Sequence, residues 1–410
     1  MLNNEDVGIL RELGAEVAEI AALPVQDEKR GLWRRLNARD PVRPMVMIDQ
    51  VAWNEIRDEA LIPNCTDPEC RTYETVLRRT LYRWRHYPVD MVVEPFIRVH
   101  KAIHNSGLGI TVQEDTVATD PANDVVGHRY VNQFQTADDL EKIQVPRISH
   151  DTDETARRLD VAHEIFDGLL EVLPWGLDPY LSFWDPISTW MGVEGALFAL
   201  IERPEYMHRL VARMRDGYLA MLDQLEEQGL LCRPQSLIHC TGAHSDELPA
   251  PGYDPGKPRT KDLWMFQLAQ MFSTVSPEMF KEFEVDYTAP ICERFGLVYY
   301  GCCDPLDGKM NEVRLIPNVR KVSVSPWASE DRAAAELGAD FVYSRKPNPA
   351  MLADSTFDSE RVRTHLAESV AVCEKHGCPL ELILKDISTI RYEPGRLAQW
   401  AAIAMDVVGA

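Results

Sequence analysis

Short apolar runs alternate along this chain with longer stretches in which apolar residues recur every three to four positions. Met45-Val46-Met47-Ile48 is one such run, closed by Asp49. Others fall at 91–93, 180–183, 236–238, Leu297–Tyr300, Val319–Val324, 341–343 and Leu380–Leu384. These short, mostly apolar runs read as strands of a parallel α/β architecture. Helical spacing dominates elsewhere. Ile9, Leu10, Leu13, Val17 and Ile20 mark a helical stretch over 4–40. Further helices are predicted at 194–202, Pro204–Glu227, 277–293, 329–337, 359–375 and 396–408. Pro204 suits a first helical turn, and Gly296, Gly338 and Gly377 each follow a helix, where a left-handed cap favours glycine.

Eight such strands with helices between them, and no glycine-rich dinucleotide fingerprint, predict an α/β fold: a closed (β/α)8 TIM barrel over 41–410 behind an N-terminal helical extension at 1–40. Two insertions interrupt the rhythm. Residues 101–160 contain alternating segments at 109–113 and 128–134, which predict a small antiparallel hairpin. Residues 241–262 are rich in Gly, Pro, Asp and Ser, and a connection that long predicts a lid over the site.

The barrel's strand tips are where its chemistry is expected. The tips here carry Asp49, Glu94, Asp185, His239, Cys302, Ser325, Arg345 and Lys385, with Cys303 and Asp386 beside them. Asp49, Glu94, Asp185, Lys385 and Asp386 are the candidate acid, base and charge-stabilising groups, since a carboxylate buried at a barrel mouth is costly unless it is used or paired. His239, Cys302 and Cys303 are the candidate metal donors, being nitrogen and sulfur ligands of the kind zinc takes. Successive side chains alternate in direction along a strand, so one of the two adjacent thiols is expected to face inward. Trp53, Trp184, Trp264, Phe266 and Trp327 could wall a pocket for a flat substrate. Paired carboxylates for glycoside hydrolysis are a barrel's common alternative, but nothing in the spacing fixes a pair.

Composition narrows the partners. The 410 residues are 45% hydrophobic and 26% charged, an ordinary globular balance, with a net charge of −22. Nucleic acid is disfavoured by that charge. The basic stretch at 78–85 is interleaved with Leu, Tyr and Trp at helical spacing, which predicts a helix with a solvated basic face. No run approaches the ~20 apolar residues of a membrane span, and the polar, acidic start lacks the pattern of a secretory signal. Nine scattered cysteines suit free thiols, so a cytoplasmic location is expected.

Three stretches carry a family likeness: Asp178 through Pro204, the Ser276-Pro277-Glu278-Met279-Phe280 helix start, and the closing succession of strands from Lys321 to Ile387. In order and content they resemble the uroporphyrinogen decarboxylase superfamily, which holds metal-free decarboxylases and zinc-dependent, corrinoid-linked methyltransferases. The decarboxylases hold an acidic tetrapyrrole with arginines just after the first strand; here that region, Asp49 to Glu55, has none until Arg57. The methyltransferase branch implies a His-x-Cys at the fifth strand and a Cys at the eighth. This chain has Gly301-Cys302-Cys303-Asp304 and Lys385-Asp386 there instead. The resemblance implies a methyltransferase that moves a methyl group between a small, possibly aromatic, substrate and a corrinoid on a separate protein, with zinc assistance. The alternative is a metal-free decarboxylase acting on another carboxylated substrate, and a third reading is a ligand-binding module. The expected partners are a corrinoid protein and a small methyl donor or acceptor, with a homodimer left open.

Overall fold

The computed structural model describes residues 2–118 and 126–409. Two helices open the chain, α1 (Asn4–Ala21) and α2 (Pro24–Asn37), separated where Pro24 ends one helical register and begins the next. Asn3 accepts from the Glu5 N–H and so satisfies one of the free donors at the start of α1. After β1 (Met45–Ile48) comes α3 (Pro68–His86), capped by Asp67, which accepts from the N–H groups of Glu69 and Cys70. The segment 101–160 then supplies two antiparallel pairs. Strands β2 (Phe96–His100), β3 (Ala102–Asn105), β4 (Glu114–Ala118), β5 (Val126–Tyr130) and β6 (Ile148–Asp151) lead into helix α4 (Thr152–Phe166). In these, β3 pairs with β6 and β4 with β5, while β2 runs parallel to β7 (Glu171–Trp175). The tip of the β4–β5 hairpin lies outside the described residues.

The remaining strands build the core: β8 (Tyr180–Leu181), the short hairpin β9 (Leu237–Ile238) and β10 (Thr241–Gly242), β11 (Trp264–Gln267), β12 (Leu297–Tyr300), β13 (Val319–Val324), β14 (Val342–Arg345) and β15 (Leu380–Leu384). Among the described residues, seven of the fifteen strands form one wholly parallel sheet in the order β1-β15-β14-β13-β12-β11-β8. Register is set by pairs such as Val46 with Leu382, Val322 with Tyr343, and Phe266 with Tyr299. The sheet does not close, because its edge strands β1 and β8 do not pair. The expected closed eight-stranded barrel is therefore corrected to an α/β fold around an open, curled, seven-stranded parallel sheet.

Three local differences explain that correction. Residues 91–93 form no strand; they run beside α2, where Gln26 accepts from the Val93 N–H and Lys29 donates to the Val89 carbonyl. Leu237–Ile238 turns back on itself in an antiparallel hairpin. Its expected place in the sheet belongs to Trp264–Gln267, a run poor in β-branched residues whose aromatics suggested a pocket wall. Gly296 has no left-handed backbone; a Cβ there would lie 2.6 Å from the Lys261 carbonyl oxygen, so closeness of approach requires glycine. Gly377 does adopt the cap conformation, with φ 70°.

The sheet's concave interior is polar. Lys321 on β13 and Glu381 on β15 are fully buried and 2.6 Å apart. Thr241 of the hairpin donates to Glu381 at 2.7 Å, and Lys321 donates to the Gly242 carbonyl at 3.0 Å. These contacts seat the hairpin across the interior and carry its tip residues, His239 and Cys240, toward the C-terminal ends of the strands. Among the described residues, no helix is long and apolar enough to cross a membrane.

Candidate active site

Cys302 follows β12 at the sheet's C-terminal end, and what surrounds its sulfur defines the site. Strand β12 ends at Tyr300, and Gly301 takes φ 86°, where a Cβ would lie 2.6 Å from Leu306 Cδ1. That turn takes both cysteines off the strand, so the alternation expected of them lapses. Cys302 Sγ and Cys303 Sγ are 3.5 Å apart on the same side. Cys302 is buried and Cys303 half-buried.

Three groups meet these sulfurs. Lys385, just past β15, places Nζ 2.9 Å from Cys302 Sγ and 3.8 Å from Cys303 Sγ. His239 Nε2 lies 3.7 Å from Cys302 Sγ. Cys303 Sγ lies 3.4 Å from Asp386 Oδ2, and that carboxylate pairs with Lys385 at 3.2 Å. The ring of His239 lies flat on Phe266, centroids 4.0 Å apart, which fixes its plane. Both His239 and Asp386 have left-handed backbone, with φ 51° and 57°. Non-glycine residues held there are uncommon and cluster at functional sites.

The electrostatics favour a thiolate. The adjacent Cys303 thiol, His239 and Lys385 together hold the Cys302 thiol well below its ordinary range, against the opposing effect of burial. Cys303 is pushed up by its hydrogen bond with Cys302, by burial and by its neighbour's charge, so it stays protonated. Lys385 is raised, because the sulfur's negative charge outweighs the cost of burying the ammonium. The site is an ion pair of sulfur and nitrogen, with a neutral thiol beside it.

The other expected residues divide. Asp49, just past β1, faces the same mouth; burial raises its carboxyl pKa, while Arg83, His239, Lys385 and Lys346 oppose the rise. Asp185 accepts from Tyr180 OH at 2.6 Å and is raised by burial, with the Cys302 charge adding to the effect. Glu94 lies elsewhere: it pairs with Arg30 at 3.0 Å and His244 at 3.3 Å beside α2. Burial alone would raise its pKa, but those two partners hold it lowered.

Of the expected aromatic wall, Phe266 alone touches the site. Trp184 and Trp264 are fully buried and donate to Glu284 and the Ala243 carbonyl. Trp53 packs edge-on to Tyr82, and Trp327 is 73% exposed. The 241–262 segment is not a lid over Cys302. Its Glu247 pairs with Arg320 near the start of β13, and its Leu248 packs at Gly296 before β12, both at the opposite end of the strands.

Several residues escaped the sequence reading. Arg83 was assigned to a solvated helix face but turns inward to the Ile48 carbonyl. Lys346 donates to Ser344 Oγ at 2.6 Å, and Tyr299 OH lies 3.0 Å from that same oxygen. The strand-end sequence Ser344-Arg345-Lys346 carries a signal for this, since alternation brings Ser344 and Lys346 to one face. Glu284 and Asp304 form a buried acidic pair behind Cys302 whose signal is weaker still. Glu284 lies on a π-helical turn, Lys281–Val285, that no residue pattern announces.

The zinc donor set can be tested on this geometry. His239 and both cysteines do converge, but the nearest charged group to Cys302 Sγ is an ammonium, at 2.9 Å. Among the described residues, no three His, Cys, Asp or Glu side chains are arranged to hold a metal ion. As arranged, the donors do not fit zinc, because Lys385 already answers the sulfur's charge.

No protein-family model matches the chain, and no curated protein sequence does. Among solved structures it is similar to a methyltransferase from Methanosarcina mazei, with 10% identity over 92% of this chain and 97% of that one, and a TM-score of 0.49. It is also similar to Haloferax volcanii malate synthase in a pyruvate/acetyl-CoA ternary complex, with 10% identity over 61% and 56% of the two chains, and a TM-score of 0.20. At such identity and overlap, neither says what this chain does.

Proposed function

We propose that this chain is a methyltransferase that uses the Cys302 thiolate as its nucleophile. The observation that carries the reading is the Lys385 ammonium 2.9 Å from a buried sulfur at the sheet's C-terminal end. The thiolate is the reactive form of cysteine, and a nearby cation keeps it available at neutral pH. In the proposed step, the thiolate's electron pair forms a bond to the methyl carbon of a small methyl ether. The carbon–oxygen bond breaks with its electrons on oxygen, and His239 passes the leaving oxygen a proton. Asp386 stays paired with Lys385 while the sulfur is neutral, so the ammonium is never left bare. Tyr180, about half exposed and stacked on Phe266, supplies an aromatic flank for the substrate. The proposed acceptor is a corrinoid on a separate protein, whose reduced cobalt supplies the strong nucleophile needed to lift a methyl group from sulfur. The resemblance of the Asp178–Pro204 region and the closing strands to the superfamily that includes the corrinoid-linked branch supports that choice of acceptor.

The test is single-turnover mass spectrometry with 13C-methyl-labelled methoxyarenes. A labelled methyl on the Cys302 peptide, released on adding cob(I)alamin, is the expected result. Methyl transfer undiminished in Cys302→Ala would sink the reading.

One observation favours a second reading, a metal-free carboxy-lyase. Asp49 is a half-buried carboxyl whose pKa is raised by desolvation, with Arg83, His239 and Lys385 opposing the rise. Such a group can protonate a carbanion while the cations hold the departing carboxylate. Carbon dioxide release that survives Cys302→Ala and fails in Asp49→Asn would favour it.

A further inference from the structure

A cavity of about 730 Å³ is lined by none of the residues that touch the Cys302 and Cys303 sulfurs. It lies among α1, α3, α4 and β2, and reaches Ser236 and Leu237 at the foot of the His239 hairpin. Its walls are mostly apolar, with Val17, Leu77, Val93, Val99 and Leu237 contributing. The volume falls in the range of small-molecule sites.

The charges along its lining do not balance internally. Arg157 pairs with Glu69 at 2.9 Å and with Glu154 at 2.7 Å, and Arg158 pairs with Glu154 at 2.8 Å. Glu94 is taken by Arg30 and His244. That leaves Arg83 and Arg98, neither of which pairs with a carboxylate among the described residues. Arg98 lies 4.1 Å over the Trp175 ring, and Ser236 Oγ at 3.0 Å is its one hydrogen-bond acceptor among those residues. Arg83 donates to the Ile48 carbonyl, and Asp49 acts on it only through space. Burial lowers the pKa of both, a sign of desolvation. A guanidinium does not shed its proton in a protein, so half-buried Arg98, with no ion pair and with Asp178 and Glu94 acting on it only through space, is a ready partner for an anion from outside.

We infer that this cavity binds an organic acid, its carboxylate on Arg98 and an apolar body against Leu77, Val93, Val99 and Leu237. Inorganic phosphate would satisfy the charge and leave the apolar walls unused. A neutral hydrocarbon would do the reverse. The site goes beyond the proposed methyl transfer and does not need Cys302.

Isothermal titration of the full chain with 2-naphthoate, 2-naphthalenemethanol and phosphate tests this, with Trp175 fluorescence as a second readout. The acid should saturate at one site, with the isosteric alcohol weaker by about tenfold or more, ~1.4 kcal/mol. Arg98→Gln should lose that advantage, and Leu77→Trp, which keeps both arginines and fills the cavity, should block acid and alcohol alike. Cys302→Ala should bind as the parent does, so a failed methyl-transfer reading leaves this result intact. Equal binding of acid and alcohol, displacement by phosphate, unchanged affinity in both cavity variants, or no saturable binding of the acid would each overturn the inference.

Discussion

Lys385 and Cys302 follow strands that have two others between them, yet their Nζ and Sγ atoms are 2.9 Å apart. Neighbouring strands lie about 4.8 Å apart, so in a flat sheet the ends of β12 and β15 would be separated by about 14 Å. The contact is therefore a product of curl. Tight curvature brings the last strand's cation over the thiol that follows β12, and the Lys321–Glu381 pair spans the same interior nearer the strands' other end.

That geometry predicts selective reactivity. Cys302 is expected to alkylate with iodoacetamide at mildly acidic pH, where ordinary thiols are almost entirely protonated. Replacing Lys385 with Met removes a charge that favours the thiolate, so the pKa rises and the rate near pH 6 falls by about tenfold or more. Cys303→Ala acts in the same direction, since the Cys303 thiol donates to the sulfur. Peptide mapping of labelled protein across pH measures this. Equal labelling of all nine cysteines at every pH would contradict the ion pair.

Gly301 makes the turn that brings both sulfurs together. With φ at 86° and buried Leu306 2.6 Å from where a Cβ would lie, Gly301→Ala incurs left-handed strain of ~1–2 kcal/mol plus the overlap. The expected outcome is a lower melting temperature together with loss of the fast-labelling cysteine. A variant that melts and labels like the parent would remove the turn from the account.

The hairpin that carries His239 is held by a buried ion pair. Glu381→Gln alone should cost ~3–5 kcal/mol, because it leaves the Lys321 ammonium buried and uncompensated. Replacing both partners with apolar residues of similar volume should cost much less. The double variant should nonetheless slow Cys302 labelling, because Thr241 and Gly242 lose the groups that hold them. Chemical denaturation together with labelling separates these effects. If the double variant is as unstable as Glu381→Gln, the single loss was not one of charge compensation.

Much of this was legible in the sequence. Four strands, Met45–Ile48, Leu297–Tyr300, Val319–Val324 and Leu380–Leu384, match their predicted bounds: the first two are unbroken apolar runs, the other two mix Val or Leu with polar residues, and each is closed by a charged residue, a glycine or a serine. The same logic brought His239, Cys302, Cys303, Lys385 and Asp386 into one list. What it missed depends on contacts between distant segments. Nothing local in 91–93 says that α2 will take its hydrogen bonds, and nothing in Trp264–Gln267 distinguishes a core strand from a pocket wall. The partner of Lys385 was equally hidden, because its distance from Cys302 depends on the curvature of the whole sheet. Arg83 shows the limit of helical periodicity, which orders residues around an axis but does not say which face meets the rest of the protein.

Behind Cys302 lies a cluster whose charge depends on pH. Glu284 is fully buried and accepts from Trp184 Nε1 at 2.9 Å, Gln267 Nε2 at 3.1 Å and Tyr300 OH at 3.1 Å. Burial outweighs these bonds and lifts its pKa to about 7; Asp304, whose Oδ1 accepts from the Cys302 N–H at 3.4 Å, is lifted by burial to about 6. A carboxyl with a raised folded-state pKa binds more protons folded than unfolded between its two pKa values. Its contribution is fully present below the unfolded value of 4.5 and is lost as pH rises through about 7. The difference of 2.5 between those values corresponds to ~3 kcal/mol. Gln267 Oε1 has no partner while its amide donates to ionised Glu284, and a flip of that amide would let it accept from the protonated form. Glu284→Gln fixes the neutral state. It should match the parent near pH 5 and exceed it in melting temperature by a growing margin toward pH 8, in paired melts at each pH. A pH-independent margin would mean that Glu284 keeps one charge state throughout, and the coupling of this cluster to the Cys302 backbone would then carry no proton.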